Sequence, residues 1–315
     1  MKVTVFGTGA IGSHVAGRMA RGGMAEVSVI ARGPQLAGIR AGGITVDAPD
    51  GRFNVKVNAE QDPAKLGPQD AVIITVKAPA LSAVADSIAP LLGPDTPVVF
   101  VINGIPWWWG DGLEVLDPTG SVREKIGLRR TIGGVVWSAC TVTSPGTVKV
   151  ASATSKVLFG ELDGSLSPRV KAIAEVLDAG GMGGVASPDI RTEIWTKLLN
   201  NLVNGPICLL SRRHMKGTFD EPVIMEAGMT VMREAMEIAR ALGHPIQGDA
   251  EKQILRSVVL AHKPSILQDL EQGRGLEFDA LFTVPLQLAK QAGVRAPMLE
   301  LMVALARKGA YADGA

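Results

Sequence analysis

Lys197, Asn201 and Asn204 stand at i, i+4 and i+7, so a helix through them presents all three on one face. The segment around them is apolar, with Ile190, Ile194, Trp195, Leu198, Leu199, Leu202 and Val203. A solvated face is more usually built from Glu, Lys and Arg, because asparagine costs about 0.6 kcal/mol in a helix relative to alanine. Asn200, Asn201 and Asn204 together are a local cost that a binding role accounts for; a solvated face is the competing account. The chemistry on offer is a cation beside amides that hydrogen-bond hydroxyl, carbonyl and carboxylate groups without adding net charge.

A second group lies at the start of the chain. Val3, Val5 and Phe6 form a short apolar run, and Gly7, Gly9 and Gly12 follow as G-x-G-x-x-G, with Thr8, Ala10 and Ile11 between them, before a helical segment. Strand, glycine turn and helix form the dinucleotide-binding arrangement, in which Gly7 serves the turn, Gly9 the approach of backbone to a pyrophosphate and Gly12 close packing. The helix aims its positive end at the phosphates. A glycine-rich turn in a chain of 37 glycines is the bland alternative, but a second apolar run at Val27, Ser28, Val29 and Ile30 sits where a βαβ unit needs its next strand. About 20 residues past the glycines an NAD site carries an acid for the ribose hydroxyls. Here the sequence is Ala31-Arg32-Gly33. Arg32 offers a charged planar fork suited to a 2′-phosphate, which points to NADP(H) over NAD(H), an ordinary surface arginine being the alternative.

Two further polar residues fall at strand ends. Residues 71–76 are a continuous apolar, β-branched run followed by Lys77, and residues 97–102 form another that leads into Asn103-Gly104. Such runs mark parallel strands buried on both faces, whose carboxyl ends gather ligands. Lys77 and Asn103 are equally readable as polar residues that simply end strands.

The elements that must position these groups follow from the pattern. Residues 42–57 alternate around Asp50-Gly51 as a hairpin, and a helix is expected over 79–92. Residues 133–143 and 147–150, joined by Ser144-Pro145-Gly146, read as antiparallel strands appended to the sheet. A helix over 168–179 and the glycine-rich passage 180–184 close the first domain. Ser187 is expected to cap the next helix, with Pro188 at its first position. Helices are then expected over 190–211, 221–242, 249–262, 265–270 and 277–292, with a capping box between Ser265 and Gln268. Met225, Met229, Met232 and Met236, at helical spacing, read as core. The fold class is α/β: an N-terminal Rossmann-type parallel sheet with appended antiparallel strands over residues 1–186, then an all-helical C-terminal domain over 187–315.

Bulk numbers narrow the setting. A chain of 315 residues suits two domains, and 46% hydrophobic against 20% charged residues supplies large cores. A net charge of +1 gives no electrostatic case for nucleic acid or an anionic membrane. Cys140 and Cys208 alone suggest neither a disulfide framework nor a metal site, and no metal is expected. The first strand begins at residue 2, which leaves no room for a signal peptide, and no apolar run approaches the ~20 residues of a membrane span. A cytoplasmic protein is expected.

Taken in order, these residues resemble the ketopantoate reductase (2-dehydropantoate 2-reductase) family over nearly the full length. The carriers are the three glycines with Arg32, Thr75-Val76-Lys77-Ala78, Asn103-Gly104, Trp195-Thr196-Lys197-Leu198-Leu199 with Asn201, Ser265-Ile266-Leu267-Gln268-Asp269 and Glu277-Phe278-Asp279. The resemblance implies NADPH-dependent reduction of a 2-oxo acid to a 2-hydroxy acid, with the substrate between the two domains and a homodimer as one option for assembly. It makes Lys197 the general acid, with Glu277 near the lysine and the cofactor. Lys77 and Asn103 would serve the cofactor, Asn201, Asn204 and Ser265 the substrate, and Asp269 would support that shell. Two departures bear on the substrate. The family carries a second asparagine eight residues after the lysine, but here that position is Gly205, and Asn204 lies about 100° round the helix from it. Trp107, Trp108 and Trp109 follow Asn103-Gly104-Ile105-Pro106, where a smaller turn is the family pattern. They would either face the mouth of a cleft and favour an apolar or aromatic ketone, or pack structurally.

Arg32 generates the first prediction. At one fixed salt concentration NADPH should bind at least tenfold more tightly than NADH, about 1.4 kcal/mol, and Arg32→Ala should remove most of that preference. Equal binding of the two by the unmutated protein would sink the assignment.

Overall fold

The structure, a computed structural model, describes residues 1–311. Residues 312–315, which the expected helical domain includes, lie outside the described residues. The chain divides into two compact units. One comprises Met1–Ile102 with Gly110–Ile190, and the other comprises Asn103–Trp109 with the chain from Arg191 onward.

The first unit holds every described strand. In chain order these are β1 (Lys2–Phe6), β2 (Glu26–Ile30), β3 (Ile44–Ala48), β4 (Gly51–Val55), β5 (Asn58–Glu60), β6 (Ala71–Ile74), β7 (Val98–Val101), β8 (Thr131–Trp137), β9 (Cys140–Ser144), β10 (Thr147–Val150), β11 (Lys156–Gly160) and β12 (Gly183–Ala186). The main sheet runs β12-β11-β8-β7-β6-β1-β2-β5. All its neighbours are parallel except β11 against β8. Its central strands β6 and β7 are buried at every residue, as continuous apolar runs require of a sheet covered on both faces. The hairpin β3–β4 forms as the Asp50-Gly51 signal indicates, but it joins β9 and β10 in a separate sheet of order β4-β3-β10-β9. The β9–β10 pair therefore leaves the main sheet, and β11 is the antiparallel strand appended there.

The helices of this unit are α1 (Ala10–Gly22), α2 (Gly33–Gly42), α3 (Leu81–Ser87), α4 (Ser121–Lys125) and α5 (Pro168–Asp178). The helix expected over 79–92 is broken into α3 and two 3-10 turns, Ala78–Ala80 and Ala89–Leu91. Pro90 has no N–H to continue α3 and biases Ala89 away from helix. The passage 180–184 contains the start of β12 and is not simply a loop. Its glycines admit close packing, since a Cβ at Gly184 would lie 2.0 Å from the Ala174 carbonyl oxygen on α5.

The second unit is helical: α6 (Ile190–Ser211), α7 (Met215–Thr218), α8 (Pro222–Ala241), α9 (Ala250–Val258), α10 (Ser265–Glu271), a π turn (Asp279–Thr283), α11 (Val284–Gln291) and α12 (Pro297–Ala310). The sequence pattern supplied α6 but gave no warning of α7 or α12. Ser187 does not begin α6; its Oγ accepts from the Asp189 N–H in a turn just ahead of the helix. The Ser265–Gln268 capping box is absent as well. Pro264 is the cap residue, and Gln268 Nε2 donates to the Lys263 carbonyl at 2.8 Å. Of the methionine stripe, Met229 and Met232 are buried and Met225 and Met236 are half-buried. No described helix is long and apolar enough to cross a membrane.

One buried polar cluster ties the two sheets of the first unit through α1. Arg18 Nε donates to His14 Nε2 at 3.2 Å, so Nδ1 carries the imidazole proton and donates to Ser138 Oγ at 3.2 Å. The Arg18 guanidinium grips both oxygens of Asp50, at 2.6 and 2.7 Å, just before the β4 strand. Burial first, and then the Arg18 charge, lower the His14 pKa to about 4, against a weaker opposing pull from Asp50. Because the folded pKa lies below the ordinary 6.5, the folded state disfavours the imidazolium. This contribution is complete above pH 6.5 and is lost as pH falls through 4. Its size is on the order of 3 kcal/mol. Melting curves between pH 7 and 4 should therefore fall more steeply for the parent than for His14→Gln; identical slopes would contradict this role.

Candidate active site

In the first unit the glycine turn is shaped by three close approaches. Gly7 takes φ +103°, a left-handed backbone that suits glycine, and Thr75 Oγ1 at the end of β6 donates to its carbonyl at 2.7 Å. A Cβ at Gly12 would sit 1.9 Å from that same carbonyl oxygen, so α1 reaches the strand only with glycine there. A Cβ at Gly9 would meet nothing within 4 Å, which leaves backbone open to a ligand. Gly9 is the cap residue of α1 and no side chain caps the helix, so its first-turn N–H groups, from Ala10 on, are available to an anion. A cavity of about 300 Å³ opens here, lined by Gly7, Thr8, Gly9, Ala31, Arg32 and Gln35 among others. Arg32 is exposed and leads into α2. Gln35, three residues on, was not anticipated; its signal is a polar side chain in the first turn of the helix that Arg32 caps. Lys77, half-buried, follows the cavity residue Val76. The donor-rich turn, the open Gly9 and the cation at Arg32 fit a phosphorylated dinucleotide.

In the second unit the structure joins three of the expected residues. Lys197 Nζ donates to Asn103 Oδ1 at 2.6 Å, and Asn103 Nδ2 donates to Glu277 Oε2 at 3.4 Å. The amide orientation follows from its neighbours: flipped, it would set an N–H against an ammonium and an oxygen against a carboxylate. Asn103 thus holds Lys197 with one end and Glu277 with the other. Lys197 and Asn201 are half-buried one turn apart on α6, while Glu277 is buried immediately ahead of the helical turn that begins at Phe278. Asn103 belongs to this unit because its segment is stitched there: the Ile105 N–H donates to the Ala280 carbonyl at 2.8 Å, and Gly104, at φ +79°, packs on the Ala280 backbone.

The remaining expected residues are placed apart. Asn204 is buried and its amide donates to Met215 Sδ at 3.3 Å, while Oδ1 has no hydrogen-bond partner among the described residues. The substrate contact expected of Asn204 gives way to a core position, where Met215 of α7 meets its amide. Ser265 is exposed at the start of α10. Asp269 is buried and paired with Arg274, whose Nε and Nη2 reach Oδ1 at 2.9 and 2.7 Å. That arginine was not foreseen. A Cβ at Gly205 would lie 2.7 Å from Phe282 Cζ, so the space for a side chain there belongs to that ring.

The three consecutive indoles belong to the second unit and are buried. Trp107, Trp108 and Trp109 are 3%, 3% and 8% exposed. Trp109 meets Trp195 and His244 edge to face, at 6.3 and 5.2 Å between ring centres. Arg191 lies over the rings of Trp108 and Trp109 and donates to the Trp109 carbonyl at 2.6 Å. The cleft-mouth expectation gives way to the structural one, because so little indole surface remains for a ligand.

A dinucleotide-type turn in an α/β unit and a lysine–amide–carboxylate group in a helical one define a two-part oxidoreductase architecture. The family described as Ketopantoate reductase PanE/ApbA matches residues 3–164, and its C-terminal counterpart matches residues 189–310. The chain belongs to the ketopantoate reductase family. It is 35% identical to a 2-dehydropantoate 2-reductase of Mesorhizobium japonicum over all of this chain and 99% of that one. Among solved structures it is similar to a candidate ketopantoate reductase from Ralstonia solanacearum MolK2, with TM-score 0.89, 33% identity and 98% of each chain covered. It is also similar to the 2-dehydropantoate 2-reductase of Methylococcus capsulatus, with TM-score 0.82, 25% identity, and 98% of this chain and 96% of that chain covered.

Burial of Trp109 yields a prediction. Trp109→Ala should lose about 3 to 5 kcal/mol of stability, seen as an early melt, while the relative kcat/KM for different substrates stays at the parent's ratio. A stable variant with a changed substrate ratio would restore the ligand-facing reading.

Proposed function

We propose that the chain is an NADPH-dependent reductase that converts a 2-oxo acid, ketopantoate or a close relative, to its 2-hydroxy acid, as in pantothenate biosynthesis. In this reading residues 1–186 are the NADP-binding domain and residues 187–315 carry the substrate and catalytic groups. The observation that carries it is the 2.6 Å bond from Lys197 to Asn103, itself bonded to Glu277. A non-catalytic binder of NADPH has no need to hold an ammonium in this way.

The reduced nicotinamide, when bound, supplies a hydride to the carbonyl carbon. Charge then grows on the carbonyl oxygen, and a proton donor within reach lowers the barrier. Lys197 is that donor. An ammonium carries three N–H groups, and the bond to Asn103 engages one of them. Asn103 restricts the long lysine side chain to one region, which removes part of the entropy cost of aligning it. Glu277 fixes the other end of the amide. Asn201, one turn along α6 from Lys197, offers a neutral donor and acceptor to the substrate's polar groups. Arg32 and the α1 N-terminus bind the cofactor phosphates, with Gly7, Gly9 and Gly12 setting the distance of approach.

The reading predicts that NADPH is oxidised in the presence of at least one member of a panel that contains ketopantoate, a short aliphatic 2-oxo acid and an aromatic 2-oxo acid. Lys197→Ala should lower kcat by about 10² to 10⁴ and leave NADPH affinity unchanged. A loss confined to KM would make Lys197 a binding residue, and NADPH binding with no turnover on any member would favour a non-catalytic binder of NADPH.

A further inference from the structure

Glycine inside a helix costs about 1 kcal/mol relative to alanine, yet α6 carries Gly205 in its interior, directly before Pro206. The compensation is visible in space. The ring of Phe282 fills the place of a side chain at 205, with Cζ 2.7 Å and Cε1 3.1 Å from where a Cβ would stand. Phe282 is fully buried and braced edge to face by Phe278 at 5.0 Å. It belongs to the π turn Asp279–Thr283, which also carries Ala280, the residue that receives Gly104 and the Ile105 N–H. Glu277 stands just ahead of that turn, and its carbonyl accepts from the Leu281 N–H. The turn is therefore fixed at two points, Ala280 on the Gly104 segment and Phe282 in the notch of α6. Between them they set where the Glu277 carboxylate meets Asn103. π turns are rare, because the wider turn packs and bonds less well, and they concentrate at functional sites.

We infer that Gly205 and Phe282 are positioning residues for the Lys197 centre: the ring-in-notch contact seats the π turn and so holds Glu277 against Asn103, which in turn holds Lys197. Neither residue touches the reacting atoms. The notch links α6, which carries Lys197, to the turn that carries Glu277, so both partners of Asn103 depend on one packing contact. This inference rests on the reductase reading for its kinetic arm alone.

The test compares four variants with the parent: Gly205→Ala, Phe282→Leu, the double variant, and Gly228→Ala. The last is a control with a similar clash against a different ring, since a Cβ at Gly228 on α8 would lie 2.7 Å from Phe219 Cε1 and meet α6 only in ordinary contact, 3.5 Å from Val203 Cγ1. Turnover of the parent on the 2-oxo acid panel is established first; no turnover there fails the reductase reading and leaves the second readout to decide this one. That readout is the NMR signal of the Asn103 side-chain amide, which reports the Glu277 contact without any substrate. Gly205→Ala should lower kcat at least tenfold with KM for NADPH unchanged, and should shift the Asn103 amide signals. Phe282→Leu, which shrinks the ring, should do the same more weakly. The double variant, in which the added methyl meets a smaller side chain, should recover most of the parent kcat and the parent amide signals, a coupling that only contacting residues show. Gly228→Ala should lower the melting temperature yet leave kcat and the amide signals as in the parent. The inference is overturned if Gly205→Ala keeps both parent readouts, or if Gly228→Ala perturbs them equally. It is also overturned if Phe282→Leu and the double variant behave alike. Should Gly205→Ala not fold, Phe282→Leu decides: parent-like kcat and parent-like Asn103 signals in that variant overturn it.

Discussion

A lysine amine on a four-carbon stem samples many positions, and it serves as a proton donor at one chosen atom only if something holds it. Here a side-chain amide supplies such a hold. Asn103 accepts from Lys197 at 2.6 Å and donates to Glu277 at 3.4 Å. The short segment Asn103–Trp109 follows β7 of the first unit yet belongs to the second, where Ala280 and the Trp109–Trp195–His244 contacts anchor it. The buried indoles thus have a use that needs no ligand. They fasten the segment whose first residue orients the lysine.

The first unit is built around a close approach of backbone to backbone at the glycine turn. Gly12 lets α1 touch the Gly7 carbonyl, Thr75 pins that carbonyl from the neighbouring strand, and Gly9 stays open. The helix that begins there is in turn fixed along its middle by the His14–Arg18–Asp50 cluster. A charge pair this close to a neutral histidine is costly to disturb, because protonating the imidazole sets two cations together in a dry site.

Much of this was legible in the sequence because it is local. The apolar runs of β6 and β7, the spacing of the glycines and the breakers around α6 depend on residues near one another in the chain, and the order of motifs carried the family. What was not legible depends on distant partners. Asn204 reads as part of a polar stripe until α7 brings Met215 to it. Gly205 reads as a missing side chain until Phe282 is seen in its place, 77 positions on. The glycines before and in β12 look like a loop because their use, contact with α1 and α5, is tertiary. Ser265 and Gln268 have the spacing of a capping box, but the helix starts one residue too early for it, at Ser265 itself, and Gln268 bonds Lys263 instead.

The central claim is that the Lys197 amine delivers a proton to a substrate oxygen, and chemical rescue measures it most directly. Lys197→Ala, supplied with a series of small primary amines of similar size, should regain turnover, with rescued rates that rise systematically with the acidity of the ammonium, as general-acid transfer requires. No rescue by any amine, or rescue that tracks amine size and ignores acidity, would contradict it and return Lys197 to a purely binding role.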